Sequence, residues 1–465
     1  MNTIIAFLKE LFPPSCHERI LLVGGSVRDH LLARKGTDID LAACLDETEL
    51  VARGFRRVEP RSTTGIWFRH DQAFGPIEVT LLADLGDALS IDLARRDFTV
   101  NAMAMTLDGE VIDPLGGRRE LEERRLAACS PRAFRDDPLR IFRAFRFEAD
   151  GWRMTPESEA LVREKEWRQP LLIVPVERFS REMLKALEAA EPERFFARML
   201  HFDAGRGYLP ELFAMPAIPA GPLQHHPEGD LFSHAVQVLQ RVAMRTDTPL
   251  SRFCAFFHDI GKLATDPALY PRHHGHDKAG FDMARILCER LRLSSEYRTA
   301  LAWTSRLHGI LNRWDELRDS TRLKSAQKAL KAGIGEILAQ VSAADKPDGL
   351  FEREEWERTV RVSAMSTMEL GIDNARLEGI APEKRSDFIL QKRIEMLSLR
   401  HLQPEYPYRC PKGKNGNDRN LEGRVHGKDA ADQGVAGPLE QSRGGQRHDP
   451  GDDVGRVGGE REEQA

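Results

Sequence analysis

The sequence predicts an α+β protein, a mixed β-sheet region followed by all-α segments, on three observations. Between Leu21 and Leu126 short apolar runs (LLVGGSV, DIDLAA, IEVTLL, EVIDPL) alternate with Gly/Asp turns, the pattern of strands in a compact α/β or α+β unit. From Pro131 the text becomes helical, with Arg-rich amphipathic stretches such as PLRIFRAFRFEA and VERFSREMLKALEAA between helix-stopping prolines. The 465 residues also exceed what one hydrophobic core organises, so several domains are expected.

Taken in order, residues 1–130 read as the sheet-bearing head and 131–215 as a helical neck. The Pro/Gly-rich connector MPAIPAGPLQHHPEGD puts a boundary near residues 216–226. A third helical region, 225–405, is punctuated by histidines. Beyond Tyr408 there is no aromatic residue and 12 of the 36 glycines fall in the last 55 positions, so the tail 409–465 is expected to be disordered. No segment is apolar for long enough to span a bilayer, and the start MNTIIAFLKELFPPSCHERI has no export-signal pattern. Six cysteines scattered without a CxxC pair fit reduced thiols, hence a cytoplasmic protein. The net charge of -5 is a small difference between 68 basic and 73 acidic residues and leaves a polyanionic partner open.

Two constellations carry chemistry. In the first, LLVGGSVRDHLL places a buried strand, a Gly24-Gly25 turn and a helix start, a backbone anion site with Arg28 one turn in. A Gly-Gly turn alone is more often only a tight turn. It is followed by TDIDLA, where Asp38 and Asp40 flank Ile39 on a strand, so both carboxylates share a face and can bind a pair of divalent cations.

These residues resemble the nucleotidyltransferase superfamily, specifically the bacterial tRNA nucleotidyltransferase (CCA-adding enzyme) and poly(A) polymerase family. Four further segments are similar to the family's motifs. RRDFTVNA at 95–102 resembles its RRDFTxNA, in which the arginine (Arg96) and asparagine (Asn101) line ribose and triphosphate and the aspartate (Asp97) supports them. DPLGG at 113–117 resembles the turn between head and neck. AFRDDPLRIFRAFRF at 133–147 resembles the nucleotide-selecting EDxxR helix, and VERFSRE at 176–182 the ERxxxE segment. The resemblance implies a nucleotidyltransferase-type head, Mg²⁺ at Asp38 and Asp40, and tRNA, CTP and ATP as partners.

The selecting helix has its own logic. A carboxylate accepts from the amino group that cytosine and adenine share and a guanidinium donates to ring acceptors, so Asp137 and Arg140 can select CTP and ATP without a template. Arg143 and Arg146 follow at three-residue steps and extend positive charge toward phosphate or RNA. Asp136 stands where the family has Glu. The run from IEVTLL to ARRDF is short where full CCA-adding relatives carry a flexible loop, so addition of CC alone stands beside CCA as an expectation; Glu78 is a candidate auxiliary metal carboxylate or a plain exposed strand residue.

In the second constellation, HHPEGDLFSH, FCAFFHDIGK, PRHHGH and SAADKPDG supply His234, His258, Asp259, His274, His276 and Asp345. Imidazole with carboxylate suits Ni²⁺, Mn²⁺, Fe or Zn²⁺. The order H…HD…D resembles the HD phosphohydrolase superfamily and implies an α-helical, metal-dependent phosphatase or phosphodiesterase domain with His234, His258, Asp259 and Asp345 as ligands and Lys262 or a histidine stabilising charge. Lys324, Lys328 and Lys331 read as a basic helix face, solvated or set against RNA. The rival readings are a poly(A) polymerase and an HD phosphohydrolase whose head binds RNA without catalysis.

Overall fold

A computed structural model describes residues 2–34, 39–58, 65–346 and 353–399, all within one compact unit, Met1–Pro404. The first region is built on a seven-stranded mixed sheet. Its strands are β1 (Ile20–Val23), β2 (Ile39–Ala43), β3 (Arg56–Val58), β4 (Ile66–Asp71), β5 (Gly75–Leu81), β6 (Ala104–Thr106) and β7 (Val111–Ile112), in the order β3-β4-β5-β2-β1-β6-β7. The fully buried run of β1 and the apolar positions of β2 explain why they sit centrally, while β3 is exposed along its length and forms an edge.

β1 runs antiparallel to β2, and β2 parallel to β5, with Asp40 opposite Glu78. Outside the sheet, Arg19 donates to Glu49 at 2.7 Å, and Glu49 also closes the capping box of helix Glu47–Val51. The Arg19 hydrogen bond is the main reason the Glu49 carboxyl is held down at about 2.

Downstream the chain is almost entirely helical. Helix Leu139–Ala149 buries Ile141, Phe142, Phe145 and Phe147, the apolar stripe predicted from PLRIFRAFRFEA. Phe142 packs edge-on against Phe179 of helix Val176–Leu187. The next region joins without a break in the core: Phe196 stacks on Phe256 at 3.9 Å between centroids, and one hydrophobic cluster runs from Leu8 to Val360. Across the same seam Ser180 Oγ donates to the Leu291 carbonyl. The buried Arg252 guanidinium donates to the carbonyls of Leu187, Ala189, Ala243 and Thr246. Among the described residues no helix is long and apolar enough to cross a membrane. The expected disordered tail, 409–465, lies outside them.

Candidate active site and candidate metal centre

At the end of β1 the chain turns at Gly24 with φ +73°, a left-handed conformation that favours glycine. A Cβ there would lie 2.6 Å from Arg96 Nη1, so the glycine also lets the guanidinium lie against the backbone. Arg96 is held by Asp92 at 3.0 Å, and Asp40 faces the same space from β2. Because β2 and β5 are parallel and in register, Asp40 and the exposed Glu78 share a sheet face. Asp38 lies outside the described residues.

The RRDFTVNA segment folds into a tight turn that buries and pairs Asp97 and Asn101. Asp97 accepts from the Phe98 N–H at 2.8 Å and from Asn101 Nδ2 at 3.0 Å, and forms an ion pair with Arg143 at 2.7 Å. Burial pushes the Asp97 carboxyl up, but Arg143, Asn101 and the Phe98 amide outweigh it and hold the group below its usual value. Asp137 forms an ion pair with Arg178 at 2.8 Å, and Arg140 donates to the Arg95 carbonyl at 2.5 Å.

These groups surround one cleft of about 290 Å³, lined by Gly24, Gly25, Asp40, Arg96, Asp97, Asn101, Asp137, Leu139, Arg140, Arg143 and Arg178. Two arginines expected there stand beside its lining. Arg28 pairs with Asp29 and donates to Asn101 Oδ1 at 2.5 Å, while Arg146 lies over Phe147 and pairs with Glu182 at 2.6 Å. Asp136, where the family has Glu, is exposed and paired with Arg132, away from the lining. Arg178 was within a quoted motif but not singled out. A basic residue 41 positions from Asp137 becomes a partner only through the packing of the two helices.

The histidine cluster lies deep in the third region. His234 comes from helix Leu231–Ala243, His258 and Asp259 from the end of helix Pro249–Phe257, and Asp345 from the last residue of helix Gly335–Asp345. All four are buried, and one ligand atom from each falls in a group whose members lie within 4.8 Å of one another. His234 Nε2 is 3.1 Å from Asp345 and 3.5 Å from Asp259; His258 Nε2 is 3.3 Å from Asp259. His276 and His308 approach the other oxygen of Asp259. His274 is exposed and lies outside the cluster, and Lys324, Lys328 and Lys331 are likewise exposed.

The outer contacts decide what this arrangement can hold. Nδ1 of His234 faces Glu228 at 2.7 Å, and Nδ1 of His258 faces the Ala255 carbonyl at 2.8 Å. Both partners are acceptors, so each Nδ1 carries the proton and each Nε2 turns a lone pair toward carboxylates that are themselves acceptors. His234 Nε2, His258 Nε2 and Asp259 Oδ1 accordingly have no hydrogen-bond partner. Acceptors aimed at acceptors in a buried space require a positive charge between them. With no metal bound, a second proton on His258 would supply it: burial works against that charge, yet Asp259 and Asp345 overcome it and push the imidazole up to about 10. A divalent cation meets the same demand, and the mixed imidazole and carboxylate donors suit a transition metal.

Glu228 serves two rings, accepting from His234 and from His226 Nδ1 at 2.9 Å. Burial opposes its ionisation, but these contacts prevail and hold it at about 2. Lys262 Nζ sits 2.6 Å from Asp259 and donates to the Ala220 carbonyl. Glu228 and His308 were not singled out in the sequence; Glu228 lies within HHPEGD, whereas the LHG around His308 carries no signal of its own.

A family profile described as the Poly A polymerase head domain matches residues 67–127, and one described as the HD domain matches residues 231–345. The class is therefore that of a polymerase-type head carried with an HD domain. The Multifunctional CCA protein of Methylococcus capsulatus is 34% identical over 400 residues, covering 78% of this chain and 91% of the relative. That of Legionella pneumophila (strain Lens) is 34% identical over 352 residues, covering 72% and 82%. The chain belongs to the multifunctional CCA protein family.

Among solved structures, the Thermotoga maritima CCA-adding enzyme complexed with tRNA_CCA matches with a TM-score of 0.57 at 20% identity, over 85% of this chain and 90% of that one. The Bacillus stearothermophilus CCA-adding enzyme in complex with CTP matches with a TM-score of 0.57 at 22% identity, over 85% and 92%. The fold of this chain is thus that of the CCA-adding enzymes.

Proposed function

We propose that the chain is a template-independent nucleotidyltransferase that builds the tRNA 3′ end from CTP and ATP in the cytoplasm, with a metal-dependent phosphohydrolase in its HD region. The division of labour follows the regions 1–130, 131–215 and 225–405. One observation carries the reading: a single cleft gathers Asp40, the Gly24 turn, the Arg96/Asp97/Asn101 segment and the Asp137/Arg140/Arg178 group.

In that cleft Arg96 and the Gly24-Gly25 backbone receive the triphosphate, and Asp137 and Arg140 face the base. Arg178 orients Asp137 through an ion pair, and Asp97 orients Arg143 through an ion pair and Asn101 by accepting from its Nδ2. The RNA 3′-hydroxyl attacks the α-phosphorus in line, the P–O bond to the β-phosphate breaks, and pyrophosphate leaves toward Gly25 and Arg96. Asp40, with Asp38 beside it in sequence, supplies the hard oxygen donors that Mg²⁺ prefers. When bound, Mg²⁺ neutralises charge on the attacking and leaving oxygens. Positioning and charge neutralisation suffice, and no protein nucleophile is needed.

In the HD region His234, His258, Asp259 and Asp345 would hold a transition cation such as Ni²⁺ or Mn²⁺, which when bound activates water and polarises a phosphate ester. Lys262 places positive charge beside Asp259.

Purified protein, Mg²⁺ and a tRNA transcript lacking its 3′ end, given CTP, ATP or both, test the head. Sequencing of the product is expected to show CC or CCA; no addition would overturn the reading. Only five residues, 82–86, separate β5 from helix Asp87–Ala94, which favours a second reading in which addition stops at CC. Adenosine incorporation by the pure protein would sink that reading and leave the first standing. A poly(A) polymerase is disfavoured by the HD domain and by the relatives' name.

A further inference from the structure

We infer that Phe147 is a positioning residue for nucleotide selection, its ring being the surface on which Arg28 of the head seats the selecting helix at one fixed level. This rests on the reading of the cleft as the nucleotide site. Gly24 and Arg96 on the triphosphate side belong to the head, whereas Asp137 and Arg140 on the base side lie just before and within helix Leu139–Ala149. One nucleotide must reach both sides, so a slip of the helix along the head changes what the base side can read.

Three contacts hold the helix to the head. Arg140 donates to the Arg95 carbonyl at 2.5 Å, Arg143 pairs with Asp97 at 2.7 Å, and the Arg28 guanidinium lies over the Phe147 ring, 5.3 Å from its centroid. Positions 140, 143 and 147 share one helix face at i, i+3 and i+7. Arg140 and Arg143 line the cleft themselves; Phe147 is buried a turn beyond it, outside the lining.

The ring also closes a chain of hydrogen bonds. Arg28 gives Nε and Nη2 to Asp29 Oδ1 at 2.9 and 2.7 Å and Nη1 to Asn101 Oδ1 at 2.5 Å. Asn101 Nδ2 then donates to both oxygens of Asp97, at 3.0 and 3.2 Å. An aromatic face attracts a cation without claiming its hydrogen bonds, so Phe147 places Arg28 while the donors stay on Asn101 and Asp29. Phe98 of the head and Trp152 stand edge-on to the ring, at 6.0 and 5.7 Å between centroids, and hold its orientation. Arg146 lies 4.5 Å from the same centroid and is tied to Glu182, so the ring joins one anchored cation from each region. An aliphatic side chain of similar bulk would fill this space and offer neither guanidinium a face.

The test compares kcat/KM for CTP with that for UTP, which carries a carbonyl where CTP carries its amino group, on a tRNA transcript lacking its 3′ end. The ratio does not depend on how much of the protein is folded, so a merely structural role would leave it unmoved. Phe147→Leu is expected to lower it about 10-fold, the scale of a desolvated cation–aromatic contact, and Phe147→Tyr, which keeps the ring, to restore it. Arg28→Met is expected to lower the ratio by a similar factor, and the double variant by no more than either, since both remove the same contact. An unchanged ratio in Phe147→Leu, or in Arg28→Met should Phe147→Leu fail to fold, would overturn the role of Phe147, as would losses that multiply in the double variant. No addition of any nucleotide by wild type would instead overturn the reading of the cleft.

Discussion

Around Asp40 the head presents carboxylate to a cleft ringed by Arg96, Arg140, Arg143 and Arg178, each held by a protein partner, whereas around Asp259 four histidines and two carboxylates are packed with acceptor against acceptor. The first site is balanced without its substrate: its cations are paired, and a triphosphate enters as one more anion among them. The second site has Lys262 at 2.6 Å from Asp259, yet His234 Nε2, His258 Nε2 and Asp259 Oδ1 still lack a hydrogen-bond partner. The difference lies in how far each set of side chains satisfies itself.

The strongest way to break this comparison is to remove one carboxylate from each site. Asp40→Asn is expected to reduce nucleotide addition about 10³-fold or more, because charge neutralisation by bound metal supplies several kcal/mol, while hydrolysis of a model phosphodiester continues. Asp259→Asn is expected to do the reverse, abolishing hydrolysis and stoichiometric transition-metal binding while tRNA extension continues. Parallel assays of both variants decide the matter; loss of both activities in either variant would mean that the sites are not independent.

Next in size is Arg143→Met, which leaves Asp97 buried beside an uncharged neighbour. The expected cost is about 3 kcal/mol, the low end for an orphaned buried charge because Arg143 opens onto the cleft, read as a lower urea midpoint. Adding Asp97→Asn should recover most of it. Glu228→Gln probes the outer contacts of the HD centre: without the carboxylate that orients His234, metal affinity should fall about 10- to 100-fold with nucleotide addition unchanged.

The smallest effect lies far from both sites. Glu49 is held at about 2 against an ordinary value of 4.5. A depressed carboxyl stabilises the fold above its unfolded pKa, and this contribution is lost as pH falls from about 4.5 toward 2. Thermal melts of Glu49→Gln should therefore lie below wild type near neutrality and converge with it in acid.

The sheet, the Gly24 turn, the RRDFTVNA segment and the HD pair were legible because each is encoded locally, as a period, a turn residue or a fixed spacing. What was not legible depends on register and packing. Glu78 could be named from the sequence as a candidate carboxylate or a plain strand residue, but its place opposite Asp40 is set only by the alignment of β2 and β5. His308 sits mid-helix in Ser295–Leu311 with no motif around it, and reaches Asp259 because two helices pack at a glycine. Arg146 was expected to extend charge toward phosphate or RNA because charge on a helix is visible in sequence; its pairing with Glu182 of another helix depends on packing and was not.

Arg252 bears on how this chain can be dissected. Its guanidinium ties the end of helix Val176–Leu187 to the end of helix Leu231–Ala243, and the Phe196 and Phe256 stack joins the same two regions. Separating the regions at the connector would strip the Leu187 and Ala189 carbonyls of their donor and bare both rings to water. A gene fragment ending near residue 215 would then yield a sticky, poorly soluble product rather than a free-standing polymerase. The two halves are heirs to a common interior and must be inherited together.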